Sequence, residues 1–294
     1  MSDTTPRSGT TVRIEGLTLD IPSEDGVNHI LRGIDLSFSA GEIQGLAGES
    51  GSGKTMTGLA MIGLEPPTAR ITGQIWLDDV DLAQLKGGAL NAIRGRRVGT
   101  VFQDPSTSLH PQLTVGSQLT DHVRHHLKVS RAEARERAVA ALDRVGVPQP
   151  AAALTRYPHE FSGGQRQRVA IAIALACAPE VLIADEPTTA LDVTVQAGVL
   201  RLIRSLVDDL GLAVLFITHD LGVMSAVADR VAVMRQGQIV DHGPRSEVLT
   251  RPQHPYTQAL LAALPGARGG LNSRDDLARL GSFSPAPTTG GADV

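Results

Sequence analysis

Cysteine is almost absent from this chain of 294 residues. The single one, Cys177, cannot form an internal disulfide framework or a cysteine-built metal centre, which fits a reducing cytosol. It lies inside "AIALACA" and reads as a small core residue. A long apolar run is also missing. The longest, Val169 to Pro179, falls short of the ~20 residues that span a bilayer. The N-terminal "MSDTTPRSGTTVRIEG" has no apolar core of a signal peptide, so neither secretion nor a membrane span is expected, although docking on a membrane protein stays open. No excess of positive charge is present, since the net charge is −4. That balance argues against a protein built to coat nucleic acid. No repeat is visible, so each motif occurs once.

What remains is an ordinary globular composition, 41% hydrophobic and 20% charged, enough for one large domain or two smaller ones. "TVRIEGLTLDI", "GIDLSF" and "GEIQGLAG" read as strands, the last two joined by a turn at Ala40-Gly41. Gly53 to Leu64 reads as a helix, and "ITGQIWLDDVDL" and "RRVGTVFQD" return to strand character. From about Thr114 to Ala178 the pattern is helical. In "SRAEARERAVAALDRVGV", Ser130 and Glu133 have capping-box spacing. Val139, Leu142 and Val145 are expected to form one apolar face, ended by Gly146 and Pro148. "EVLIADEP" and "AVLFITH" are continuous apolar strands on either side of the amphipathic "VTVQAGVLRLIRSLVDDLG". Apolar strands alternating with helices predict an α/β fold with a parallel sheet covered on both faces. From Gly266 the composition turns to Gly, Ala, Pro, Ser and Thr, and most of this tail is expected to be poorly ordered.

"GESGSGKT" comprises Gly48, Glu49, Ser50, Gly51, Ser52, Gly53, Lys54 and Thr55. It fits G-x-x-x-x-G-K-[ST], follows a strand and opens a helix. The glycines let backbone N–H groups turn inward around phosphates. Lys54 supplies a point charge to the β- and γ-phosphates, and Thr55 offers its hydroxyl to Mg²⁺. A glycine-rich turn with a helix cap is the bland alternative, and the strand–loop–helix context weighs against it. "VLIADEP" delivers Asp185 and Glu186 to a strand's C-terminal end, where open α/β sheets bind ligands. Asp185 is placed to hold the metal, and Glu186 to take a proton from attacking water. Such carboxylate pairs are common on their own; after a phosphate loop they carry weight. His219 ends "FITH" near the same sheet edge, within reach of a γ-phosphate, where a lone histidine is more often structural. Gln103 in "VFQDP" can reach a metal-bound water, although alone it reads as a turn residue. A second anion-ready helix start appears at "FSGGQRQR", where Ser162, Gly163, Gly164 and Gln165 precede an Ala/Ile-rich helix.

These motifs, in this order, resemble the nucleotide-binding subunit of an ATP-binding cassette (ABC) transporter over roughly Val12 to Leu264. "GESGSGKT" matches the Walker A loop, "VFQDP" the Q-loop, "FSGGQRQR" the signature, "VLIADEP" the Walker B strand with its glutamate, "TALD" with Asp192 the D-loop, and His219 the switch histidine. The resemblance implies a P-loop RecA-like core, an antiparallel β-subdomain and an inserted α-helical subdomain near residues 105–178. It implies an ATPase domain over 1–250 and a C-terminal extension over 251–294. It also implies ATP and Mg²⁺ (on Thr55, Gln103 and Asp185) as ligands and a head-to-tail pair of subunits. In that pair Ser162, Gly163, Gly164, Gln165 and Asp192 serve the partner's ATP, with Ser162 both capping its helix and donating to the γ-phosphate.

"DPSTSLHPQLTVGSQL" and "HPYTQALLAALP" resemble the ATPases of oligopeptide, dipeptide and nickel importers. That group implies two different ATPases, two transmembrane permeases and an extracytoplasmic binding protein, with this subunit peripheral on the cytoplasmic face of the inner membrane and no nucleic-acid partner. The permease contact falls in the Gln103–Leu119 region. Locally, "HPYTQALL" reads as a short helix started by Pro255 and packed on the core. Two departures stand out. The place where members put an adenine-stacking aromatic reads "GVNHILRGI", which leaves His29 as the candidate adenine contact, with Asn28 beside it. Longer relatives carry a cysteine cluster after the "HPYT" segment; none is here, so no iron–sulfur centre is expected. In "DHVRHHL", His122, His125 and His126 have metal-ligand spacing, and a polar helix face is the favoured reading. The competing functions are a soluble ABC ATPase of DNA repair or translation, which would bring tandem cassettes, coiled-coil insertions or zinc motifs, and an exporter ATPase, which the "HPYT" segment opposes.

Overall fold

The computed structural model describes residues 9–24, 26–189 and 191–263. In chain order, β1 (Thr11–Ser23) and β2 (Gly26–Ser39) lead into β3 (Ile43–Ala47) and α1 (Lys54–Met61). Then come β4 (Arg70–Leu77), β5 (Val80–Asp81), α2 (Gly87–Ile93) and β6 (Val98–Val101). A helical block follows: α3 (Pro105–Ser108), α4 (Val115–Leu127), α5 (Arg131–Arg144), α6 (Pro150–Ala153) and α7 (Gly163–Leu175). The chain returns to sheet with β7 (Val181–Asp185), α8 (Val193–Leu210) and β8 (Ala213–Thr218). It closes with α9 (Leu221–Val227), β9 (Arg230–Arg235), β10 (Gln238–Pro244), α10 (Arg245–Thr250) and α11 (Pro255–Ala262). The expected disorder after Gly266 falls outside the described residues. No helix among the described residues is long and apolar enough to cross a membrane.

The strands described form two sheets. One is antiparallel, in the order β2-β1-β4-β5; the other has the order β10-β9-β3-β8-β7-β6. In the second, β9, β3, β8, β7 and β6 run parallel and β10 is an antiparallel edge. The continuous apolar runs of β7 and β8 serve two cores at once, because successive side chains point to opposite faces. Leu182, Ala184, Val214 and Phe216 pack with the helical block. Val181, Ile183, Leu215 and Ile217 pack with α1 and the antiparallel sheet. The expected two-sided cover is therefore present, with helices on one side and mostly strands on the other.

Local chemistry differs from expectation in two places on α5. Ser130 caps it by accepting from the Glu133 N–H at 3.2 Å, but the Glu133 carboxylate pairs with Arg137 at 3.0 Å, so the reciprocal half of the capping box does not form. Its buried face is Ala134, Ala138 and Leu142, at i, i+4, i+8, with Val139 only partly covered. His122 also turns inward from the polar face expected of it. Its ring meets that of His126 edge-on at 4.7 Å, and a Cβ at Gly95 would lie 2.8 Å from its Cε1. Burial first, and then His126 and His125, push its pKa down to about 4.

Arg97 joins the sheets. It contacts Glu180 at 2.5 Å and Asp78, in the β4–β5 turn, at 2.6 Å. The Glu180 hydrogen bond outweighs burial and, with Asp78, raises the guanidinium's pKa. Arg97→Ala leaves Glu180, whose side chain is 17% exposed, without its cation. The expected cost is about 1–3 kcal/mol, below the figure for a fully buried pair because water reaches this one. Chemical denaturation measures it, and an unchanged midpoint would dismiss the strut.

Candidate active site

The loop from Gly48 to Gly53 leaves β3 at the C-terminal edge of the parallel sheet. Gly48 has φ +149°, and a Cβ there would sit 2.3 Å from the Met234 carbonyl oxygen on β9. Gly53, at φ +106°, would put a Cβ 2.8 Å from Leu31. Any side chain at these two positions would push the loop off the sheet. Gly53 is also the N-cap of α1, and no side chain caps that helix, so its first-turn amides face the loop's hollow. The Lys54 ammonium bridges the hollow, donating to the carbonyls of Gly48 and Glu49, both at 2.8 Å. Burial lowers its pKa, while the charges of Glu186, Asp185 and Glu49 work against that shift.

Acidic groups enter from the neighbouring strand ends. Asp185 ends β7 and accepts from the Thr55 hydroxyl at 3.2 Å. Burial raises its pKa, partly offset by that hydrogen bond. Glu186, the next residue, has φ +46° and its N–H donates to Ile217 O at 2.8 Å. This left-handed turn of a non-glycine residue directs the carboxylate into the site. One oxygen, Oε1, meets His219 Nδ1 at 2.8 Å; the other, Oε2, accepts from Gln103 Nε2 at 3.0 Å and Thr189 Oγ1 at 2.9 Å. A cavity of about 700 Å³ is lined by Lys54, Thr55, Gln103, Glu186, Thr189 and His219, while Asp185 stays behind Thr55, outside the lining. Its polar end is made by the loop, Lys54, Thr55, Gln103, Glu186 and His219, and its apolar lining includes Ile30, Met56 and Leu260.

The other expected residues lie elsewhere. His29 pairs with Asp20 at 2.7 Å, and Ile30 lines the cavity instead. The cause is a register shift: Leu19 pairs with Leu31 but Asp20 with His29, which leaves Ile30 as the extra residue of a bulge, the device that re-aims a side chain. Ser162, Gly163, Gly164 and Gln165 open α7 away from this cavity. Ser162 Oγ accepts from the Gln165 N–H at 3.3 Å, and Gln165 Oε1 accepts from the Ser162 N–H at 3.1 Å, a complete capping box. A Cβ at Gly164 would meet Val195 of α8 at 2.5 Å. Asp192 caps α8 by accepting from Val195 N–H at 3.0 Å.

Residues 31–189 match the family model described as ABC transporter. The chain belongs to the ABC transporter family. It is an ABC ATPase, an ATP-binding and ATP-hydrolysing cassette. The chain is 45% identical, over 92% of its length and 81% of the relative's, to a probable peptide ABC transporter ATP-binding protein of Sinorhizobium fredii. It is 45% identical to the oligopeptide transport ATP-binding protein OppD of Bacillus subtilis, over 86% of this chain and 72% of that one. Among solved ABC cassettes, it matches the dimeric post-hydrolysis state of MJ0796 bound to ADP and Pi with a TM-score of 0.71 and 28% identity, covering 80% of this chain and 98% of that one. The cassette cbiO1 of Clostridium perfringens matches with a TM-score of 0.69 and 29% identity, over 82% and 90% of the two chains. This is an α/β cassette with an antiparallel β-subdomain and an inserted helical block.

The motif reading of this ABC ATPase did not find Thr189, Ile30, Met56 or Leu260 at the cavity. Thr189 sits within the quoted "TALD" and was assigned no contact. Leu260 follows Tyr256 by four residues, the spacing that puts both on one face of α11.

Proposed function

We propose that this chain is the ATP-hydrolysing subunit of an importer for peptides or a related small solute, peripheral on the cytoplasmic face of the inner membrane. It works with two permeases and an extracytoplasmic binding protein. The observation that carries the chemistry is one cavity lined by Lys54, Thr55 and Glu186, with Asp185 held behind Thr55 by its hydroxyl. The peptide assignment rests on what the relatives are named for. In this reading the loop amides and Lys54 hold the β- and γ-phosphates, and Glu186 takes the proton of the attacking water. His219 orients the Glu186 carboxylate and meets the γ-phosphate. Thr55, Asp185 and Gln103 would hold Mg²⁺; they offer the oxygen donors this ion takes, and Asp185 is a buried carboxylate whose partner here is a neutral hydroxyl. When bound, the ion neutralises phosphate charge.

The chain divides, on this proposal, into an ATPase domain over 1–250, with a helical subdomain near 105–178, and a C-terminal extension from 251. Helices α3 to α7, inserted between β6 and β7, support the inner boundary. The α7 start is offered to the ATP of a second, non-identical ATPase subunit lying head to tail, with Ser162, Gly163, Gly164, Gln165 and Asp192 acting across the interface. Its open position away from the chain's own cavity supports this. Ser162→Ala, in a pair whose partner alone carries an intact Walker glutamate, should lower turnover about 10²-fold, the scale for one lost transition-state donor. ATP binding by this chain should be unchanged. Loss confined to this chain's own site would sink the cross-subunit role. Co-purification of permeases, with peptide uptake restored in a strain lacking the gene, tests the importer.

A further inference from the structure

The "HPYT" segment has so far been a family label, yet α11 is built into the nucleotide cavity. Its approach is fixed by Asp241, whose Oδ2 accepts the N–H groups of Gln253 at 3.0 Å and His254 at 3.1 Å. His254 Nδ1 then caps the helix by accepting from Tyr256 N–H at 3.1 Å, and Thr257 is fully buried. With that side anchored, the Tyr256 and Leu260 face meets the site. The Tyr256 hydroxyl accepts from the Glu49 N–H of the phosphate loop at 3.2 Å, and its ring lies 5.0 Å from the Arg235 guanidinium carbon. Leu260 lines the cavity.

Two further facts give these contacts a use. Among the described residues that line the cavity there is no Phe, Tyr or Trp. The apolar side chains that are provided come from the β2 bulge, from α1 and from α11. A purine's flat face is apolar, and aliphatic carbon covers it through dispersion and area removed from water.

We propose that α11 is a working part of the ATP site, in which Leu260 and Ile30 grip the adenine face and Tyr256 is a positioning residue that sets the phosphate loop through Glu49. The proposal rests on reading the cavity as the ATP site. Base contact and loop position are thus set by separate residues of one short helix, and a base-free probe can separate them.

The test compares ATP with inorganic tripolyphosphate, binding to the full chain by calorimetry. Leu260→Ala should weaken ATP about five- to tenfold and tripolyphosphate less than twofold, since it removes apolar contact to the base alone. Tyr256→Phe deletes only the hydroxyl and should weaken both probes alike, by about threefold. Ile30→Ala should repeat the Leu260 split, which keeps the test open if Leu260→Ala fails to fold. Equal losses on both probes for Leu260→Ala and Ile30→Ala, or no loss on either, overturn the base grip. Tyr256→Phe binding as the parent does overturns the positioning role. If the parent protein binds neither probe, or if Lys54→Ala binds both as the parent does, the ATP-site reading falls first and takes this proposal with it.

Discussion

Glu186→Gln should lower ATP turnover about 10³-fold while ATP binding stays within a fewfold of the parent. General bases contribute on the order of 10²–10⁴, and a glutamine amide cannot take the proton. The substitution keeps shape and most contacts. Thr189 can donate to the amide oxygen as it now donates to Oε2. The surroundings of the carboxylate favour its ionised form. Burial pushes its pKa up, but hydrogen bonds from His219 and Thr189 and the charges of His219 and Lys54 outweigh it, and the net shift is downward. Glu186 is therefore ionised at neutral pH, as a base must be. The sign follows for pH dependence. A depressed carboxylate contributes its stabilisation above the ordinary glutamate value and loses it as pH falls through the lower, folded value. The acid limb of turnover assigned to Glu186 should thus lie below the usual carboxylate range. Phosphate release measured against nucleotide binding checks both. Unimpaired release by the variant, or an acid limb near neutrality, would remove Glu186 from the role.

Lys54→Ala should raise the dissociation constant for ATP about 10²-fold or more. Lys54 is 5% exposed and its ammonium donates to two loop carbonyls, so it is already oriented over the hollow that phosphate would fill. Charge-assisted hydrogen bonds contribute about 1.5–3 kcal/mol each, and 1.4 kcal/mol is a factor of ten. Two such bonds to phosphate oxygens set the expected scale. Alanine also removes the Lys54 bonds to the carbonyls of Gly48 and Glu49, of which Glu49 O keeps the Ser52 N–H at 3.2 Å, so the loop should loosen at Gly48 with the loss of charge. Calorimetric titration with ATP reads the first effect, and hydrogen exchange of the loop amides reads the second. Parent-like affinity would rule out the phosphate cradle.

The phosphate loop and the strand-end carboxylates were legible because their constraints are local. A glycine where φ is positive and a lysine where the loop closes leave marks a few residues long. The same holds for the Gly146 stop after α5 and the Asp185-Glu186 delivery by β7. Phase was not legible. His29 and Ile30 are adjacent, and one unpaired residue in the β1–β2 register decides which of them meets the cavity. Composition carries no record of a single bulge. Nor does a hairpin at Gln236-Gly237 announce that its Gly237 N–H will hold Ser52 O of the phosphate loop at 2.9 Å. The helix α2 and the stretch from α9 to α10 went unread for the ordinary reason that short elements have weak periodicity. Leu260 was hidden because its role depends on where α11 docks.

The strand order has a consequence for the newborn chain. The phosphate loop is synthesised before β8 and β9, yet among the described strands these are the two that β3 beneath it pairs with: Ile43 with Val214, and Gln44 with Arg230. Until those residues have been synthesised the loop has no floor, and Gly48 has no Met234 carbonyl to pack on. Closure over so long a stretch is slow and entropically costly. A chain arrested before β9 would carry every residue of "GESGSGKT" and still offer ATP no formed seat.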